Sequence, residues 1–212
     1  MAKLYIVATP IGNLSDITLR AIKTLREVDF ILAEDTRVTK KLLSHFGIHK
    51  PVLRYLHGKD YRKFQNIALM TDAGTPSISD PGLNLIRDLA KADFEIIPIP
   101  GPSALSAIIS ASDIDLKEFL FFGFPPHKKG REKFFKRVAN VEFPVILFES
   151  PHRIQKTLHQ LQQYCGDRYV NIGRELTKIH EEIFRGALSE AERHFVGEKL
   201  RGEFVIVLSR EN

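Results

Sequence analysis

Apolar and polar positions alternate over residues 3–8, then recur at Ile17, Leu19, Ile22, Leu25 and Val28. That change of period marks a strand feeding a helix. The turn between them is Thr9-Pro10-Ile11-Gly12-Asn13, and Asp16 is placed to cap the helix. Residues 30–33 form a second apolar run, and residues 38–46 a second, basic helical pattern that Gly47 closes as a C-cap. Strands at 52–56, 67–70 and 94–99 and helices at 83–89 and 105–111 continue the alternation, which predicts a parallel sheet. Only residues 57–66 separate two of those strands, whereas a parallel crossover takes about a dozen residues or more. Either the two strands are not parallel neighbours or the link lacks a segment, and a missing segment is the expectation.

Beyond residues 113–116, which read as a linker, the pattern changes. Strands are predicted at 118–124, 144–148, 169–172, 181–186 and 203–208, with helices at 132–139, 154–164 and 189–195. The expectation is α/β throughout, with a parallel-sheet domain over 1–113 and a mixed-sheet domain over 114–212. The C-terminal ends of parallel strands share one edge, where α/β folds place ligands. The turns at 9–13, 34–37, 71–76 and 100–104 are therefore expected along one crevice.

Charge adds a partner class. The chain of 212 residues carries a formal net charge of +5, which favours a polyanionic partner, nucleic acid first. A basic enzyme with no such partner accounts for the charge equally well. No apolar run reaches about 18 residues, so no membrane-spanning helix is expected. The N-terminal stretch reads as a strand and not as a signal peptide. The single cysteine, Cys165, forms no internal disulfide and suits a reducing, cytoplasmic setting.

Several chemistries lack their residues. There is no Gly-x-x-x-x-Gly-Lys loop, no Gly-x-Gly-x-x-Gly and no Gly-x-Ser-x-Gly elbow. Eight histidines and one cysteine show no zinc-ligand spacing. The turns are distinctive as an ordered set: Thr9-Pro10-Ile11-Gly12-Asn13, Ala33-Glu34-Asp35-Thr36-Arg37, Asp72-Ala73-Gly74-Thr75-Pro76, Ser79-Asp80-Pro81-Gly82, Pro100-Gly101-Pro102-Ser103-Ala104, Glu149-Ser150-Pro151-His152-Arg153, Gly173-Arg174-Glu175-Leu176-Thr177-Lys178 and Arg201-Gly202-Glu203-Phe204. This set closely resembles the bacterial ribose 2′-O-methyltransferases of small-subunit (16S) ribosomal RNA, which modify a decoding-region cytidine. They belong to the tetrapyrrole methylase-like class of S-adenosylmethionine (SAM) methyltransferases, and the likeness runs from about residue 3 to 209.

The resemblance implies a two-domain fold with SAM in the cleft between the domains, a homodimer, and ribosomal RNA or the 30S subunit as partner. The alternatives are the same fold methylating a tetrapyrrole or a protein side chain, and a non-catalytic RNA-binding factor. By matching motifs it implies Pro10, Gly12, Asp72, Gly74, Thr75, Ser103, Ala104, Phe148 and Gly202 as cofactor-lining residues. It also implies Glu34, Asp35, Arg37, His152, Glu175 and Lys178 as the catalytic set. Bland readings stand beside these. Asp72 can bond its own turn, Ser103 can be a plain N-cap, and Glu34, Asp35 and Arg37 can form a structural ion cluster. Arg153, Arg174, Lys178 and the basic stretch 128–137 are expected to hold RNA phosphates, the alternative for the stretch being a solvated helix with its phenylalanines in the core. Two departures from the family are visible: the short link at 57–66, which touches any role for His57, and the lack of a C-terminal helical extension.

Overall fold

Two faces of one parallel sheet explain why its strands read as nearly continuous apolar runs. The computed structural model describes residues 1–56, 59–79 and 82–210. In it β1 (Lys3–Val7), β2 (Phe30–Ala33), β3 (Val52–Arg54), β4 (Asn66–Met70) and β5 (Glu95–Ile99) pair in the order β3-β2-β4-β1-β5, all parallel. Alternation then sorts side chains between two cores. Tyr5, Val7, Ile31, Ala68 and Met70 face α1 (Leu19–Glu27) and α2 (Thr36–His45). Leu4, Phe30, Leu32, Ile67 and Leu69 face α3 (Leu83–Ala90) and the link before β4. Covering both faces is what a parallel sheet requires.

The short link is resolved by strand order. β2 lies between β3 and β4, pairing Ile31 with Val52 and Phe30 with Ile67. The two strands are not neighbours, so the first alternative holds and the expected missing segment is not required. Tyr61, 2% exposed, takes the place of a helix side chain on that face. Its hydroxyl accepts a bond from the Leu56 amide at 3.0 Å, and Phe64 packs on Phe30 with ring centroids 4.2 Å apart. His57, and Asp80 and Pro81 of the turn before α3, lie outside the described residues.

One cap also differs from expectation. Asp16 does not cap α1: it ends a single 3-10 turn capped by Asn13, and Thr18 caps the helix by accepting the Ala21 amide at 3.1 Å.

Contacts divide the chain into residues 1–103 and 104–212. The helix α4 (Ala104–Ala111) thus belongs to the second unit, and the division precedes it instead of falling near residue 114. Its Ile108 is fully buried and sits so close to β8 that a Cβ at Gly173 would meet it at 2.9 Å. In the second unit β6 (Leu120–Gly123), β7 (Val145–Glu149), β8 (Tyr169–Arg174), β9 (Glu182–Ala187) and β10 (Phe204–Leu208) pair in the order β6-β7-β10-β8-β9. β6 and β7 are parallel and the other pairs antiparallel, so the sheet is mixed as expected. One face buries Leu147, Ile172 and Ile206 against α5 (Arg131–Ala139), α6 (Ile154–Cys165) and α7 (Leu188–His194).

Candidate functional site

In the first unit, strand order sets four turns side by side. The strands β2, β4, β1 and β5 end at Ala33, Met70, Val7 and Ile99, so the turns at 34–37, 71–76, 9–13 and 100–103 follow one another along the carboxyl edge. β1 and β4 are adjacent, yet their following helices lie on opposite faces of the sheet. That divergence is where such folds open a ligand crevice.

The turns are bonded to each other more than within themselves. Thr9 and Gly74 exchange backbone bonds of 2.9 and 3.1 Å. Gly74 takes a φ of +79°, and a Cβ there would lie 3.3 Å from Ile11, so this close approach between turns favours glycine. The Asp35 amide donates to Asp72 Oδ1 at 3.1 Å, and the Thr75 hydroxyl donates to the Pro102 carbonyl at 3.1 Å. Asp72 therefore ties the neighbouring turn, an arrangement neither expected reading of it included.

Asp35 and Arg37 have an evident structural role. Asp35 is the N-cap of α2, accepting the Arg37 amide at 2.8 Å, and both its oxygens take the Arg37 guanidinium. Those bonds from Arg37 hold its carboxyl far below the usual carboxylate range. Glu34 is half-buried at the same turn.

A hollow of 530 Å³ opens between the 9–14 turn, α2 and the end of β4. Pro10, Gly12 and Asp72, which the resemblance implies for the cofactor, are among its lining residues. Leu14, Val38, Thr39, Lys41, Leu42, His45, Met70 and Thr71 line it as well, and the motif matching did not name them. Their signal was weak: they are ordinary helix and strand-end residues, gathered only by the fold. Thr39 and Thr71 are each 2% exposed, and among the described residues neither hydroxyl oxygen has a hydrogen-bond partner. Ser103 ends the first unit and Ala104 begins α4.

In the second unit the motif residues also share one sheet edge. Register pairs Phe204 with both Glu149 and Arg174, and Arg174 with Glu182. Most of these groups are internally engaged. Lys178 Nζ bonds Glu175 Oε1 at 2.7 Å and Glu203 Oε2 at 2.9 Å, and the Glu203 amide donates to Glu175 Oε1 at 3.0 Å. Burial pushes the Glu175 carboxyl up, but the Lys178 ammonium and the Glu203 amide outweigh it and leave it below its ordinary value. Burial likewise lowers Lys178, and its two carboxylate partners outweigh that and raise it. Gly202 has a φ of +105°, and a Cβ there would lie 2.3 Å from Glu175 Cγ. The close approach of the 173–178 turn thus accounts for glycine here.

Two of the expected phosphate holders make internal bonds. Arg153 reaches Glu149 Oε1 at 2.7 Å, Ser150 Oγ at 3.1 Å and the Pro125 carbonyl at 2.8 Å. Arg174 donates to the Arg201 carbonyl at 2.7 Å. Within the basic stretch, Arg131 is only 4% exposed and bonds Gln160, Thr157 and the Pro126 carbonyl. Lys128, Lys129 and Lys133 remain exposed. Phe148 is half-buried, edge-on to Phe121 and Phe124. His152 is exposed, and it makes no hydrogen bond to the described residues.

Comparison with known proteins places the chain in a family. Residues 3–192 match the family Tetrapyrrole (Corrin/Porphyrin) Methylases. The chain is 45% identical over 219 residues to the Ribosomal RNA small subunit methyltransferase I of Thermotoga maritima, covering 99% of each. It is 40% identical over 223 residues to the protein of that name from Bacillus subtilis, covering 100% of this chain and 76% of that one. Among solved structures, a diphthine synthase superposes with a TM-score of 0.73 at 14% identity, covering 98% of this chain and 90% of that one. A cobalt precorrin-4 methyltransferase gives 0.67 at 19%, covering 98% and 94%. The two structural likenesses speak to fold alone.

Proposed function

Because this chain belongs to the tetrapyrrole methylase family, we propose that it methylates the ribose 2′-hydroxyl of a cytidine in the decoding region of small-subunit ribosomal RNA, using SAM. The observation that carries the reading is the row of four bonded turns on one carboxyl edge, in a chain 45% identical along its length to a protein named as a small-subunit rRNA methyltransferase.

The residues present suit the donor. Gly74 and Gly101 let the turns on either side pack closely against the end of β1 and its turn, where a Cβ would stand 3.3 Å from Ile11 and 3.1 Å from Ala8. A carboxylate, Asp72, stands at the edge to favour a cationic ligand. Pro10, Gly12, Thr75, Ser103 and Ala104 are assigned to the same task, and Phe148 and Gly202 are assigned to it by the resemblance. When bound, SAM supplies an electrophilic methyl group. The chain's part is to hold the ribose hydroxyl in line and to take its proton. Asp35, held low by Arg37, is a weak base, and Lys178, raised by its partners, stays cationic. With Arg37 and Glu175 they suit electrostatic and positioning roles. Proton removal falls to Glu34 or His152, and the pH–rate profiles of Glu34→Gln and His152→Gln decide between them.

The test is one incubation of the protein with labelled SAM and, in parallel, undermodified 30S subunits, free rRNA and a tetrapyrrole precursor. Label is expected in the rRNA. Label in the tetrapyrrole alone overturns the substrate, and absence of SAM binding removes the enzyme reading. Asp72→Ala is expected to weaken SAM binding by about tenfold while changing RNA affinity less. The same reading includes a cytoplasmic homodimer, which sedimentation at monomer mass would exclude.

A further inference from the structure

We infer that the 530 Å³ hollow between α2 and the end of β4 receives the acceptor nucleoside, its base turned out of the RNA stack and its edge read by Thr39 and Thr71. The inference rests on the reading of this chain as an RNA ribose methyltransferase and goes beyond it by assigning the acceptor a place.

Size comes first: the volume lies within the range of about 300–1,000 Å³ that small-molecule sites occupy. The walls are of two kinds. Leu14, Val38, Leu42 and Met70 offer apolar surface for the faces of a ring. Thr39 and Thr71 are each 2% exposed and their hydroxyl oxygens lack partners among the described residues. Buried polar groups are seldom left that way, and one without a partner costs about 1–3 kcal/mol. A hydroxyl both donates and accepts, which matches the mixed edge of a nucleobase better than an anion or a purely apolar ligand.

Charge at the mouth points the same way. Lys41 lines the hollow, and Lys40 is exposed on the same helix. Cations in that position suit the phosphates flanking an extruded nucleotide. Enzymes that act on one nucleotide of a structured nucleic acid take it out of its stack into such a pocket. Asp72 stands on the wall, at the turn assigned above to the methyl donor.

Three variants test this without touching a residue assigned to SAM. Thr39→Val and Thr71→Val remove the hydroxyls and keep the shape. Val38→Trp fills the mouth from a position already 43% exposed, so it leaves the core alone. Each threonine variant is expected to lower kcat/KM toward undermodified 30S subunits by about tenfold, with SAM affinity within about twofold of wild type. Val38→Trp is expected to abolish transfer. Cytidine 5′-monophosphate, probed by saturation-transfer NMR, is expected to bind the wild type and not Val38→Trp. Parallel loss of SAM affinity in the threonine variants would assign the hollow to the donor and overturn the inference. Wild-type transfer rates in all three variants would overturn it too. If the wild-type protein methylates no RNA, the proposed function fails, and the nucleotide NMR still decides whether the hollow binds a nucleoside.

Discussion

Gly202 is the residue whose replacement has the clearest consequence. At a φ of +105°, with Glu175 Cγ 2.3 Å from where a Cβ would stand, Gly202→Ala is expected to cost about 1–3 kcal/mol, read as a lowered midpoint in urea. Glu175 itself makes a pH-dependent contribution. Its carboxyl is held below its ordinary value of 4.5, so its stabilisation is present above that value and is lost as pH falls through the folded-state one. The gap in melting temperature between wild type and Glu175→Gln should therefore be widest near neutral pH and close on acidification. The residue types at these turns were legible because Gly, Pro, Asp and Thr carry local conformational signals. Their partners were not: nothing in the spacing of Asp35 and Asp72 says that one's amide meets the other's carboxylate.

Among the elements, the start of α6 shows a motif whose Glu149 and Arg153 hold the fold together. Glu149 is 1% exposed, with Arg153 and the Ser150 amide on Oε1 and the Thr157 hydroxyl on Oε2. Arg131 of α5 bonds the same threonine at 2.6 Å, so β7, α5 and α6 are joined through one buried carboxylate. Breaking a buried pair on one side leaves charge uncompensated. Glu149→Ala is expected to cost about 3–5 kcal/mol in urea unfolding, whether or not RNA is present. At α1 the correction is smaller. Thr18→Ala should cost about 1 kcal/mol and Asp16→Ala less, since Thr18 makes the cap.

For the whole molecule, a net charge of +5 and the exposed cations of α2 and residues 128–133 predict a salt-sensitive partner. Raising monovalent salt from about 50 to 200 mM should weaken binding to rRNA at least about tenfold, measured by filter retention. SAM affinity should change far less. Strand and helix positions, the mixed second sheet and the turns at the carboxyl edge were legible from the chain alone, because period and turn chemistry are local properties. Tertiary structure alone decided that β2 separates β3 from β4, that α4 joins the second unit and that Arg131, Arg153 and Arg174 are engaged internally. It alone also gathered Thr39 and Thr71 beside one hollow. Each of these depends on contacts between residues far apart in sequence, where burial and register, not local preference, choose the partner.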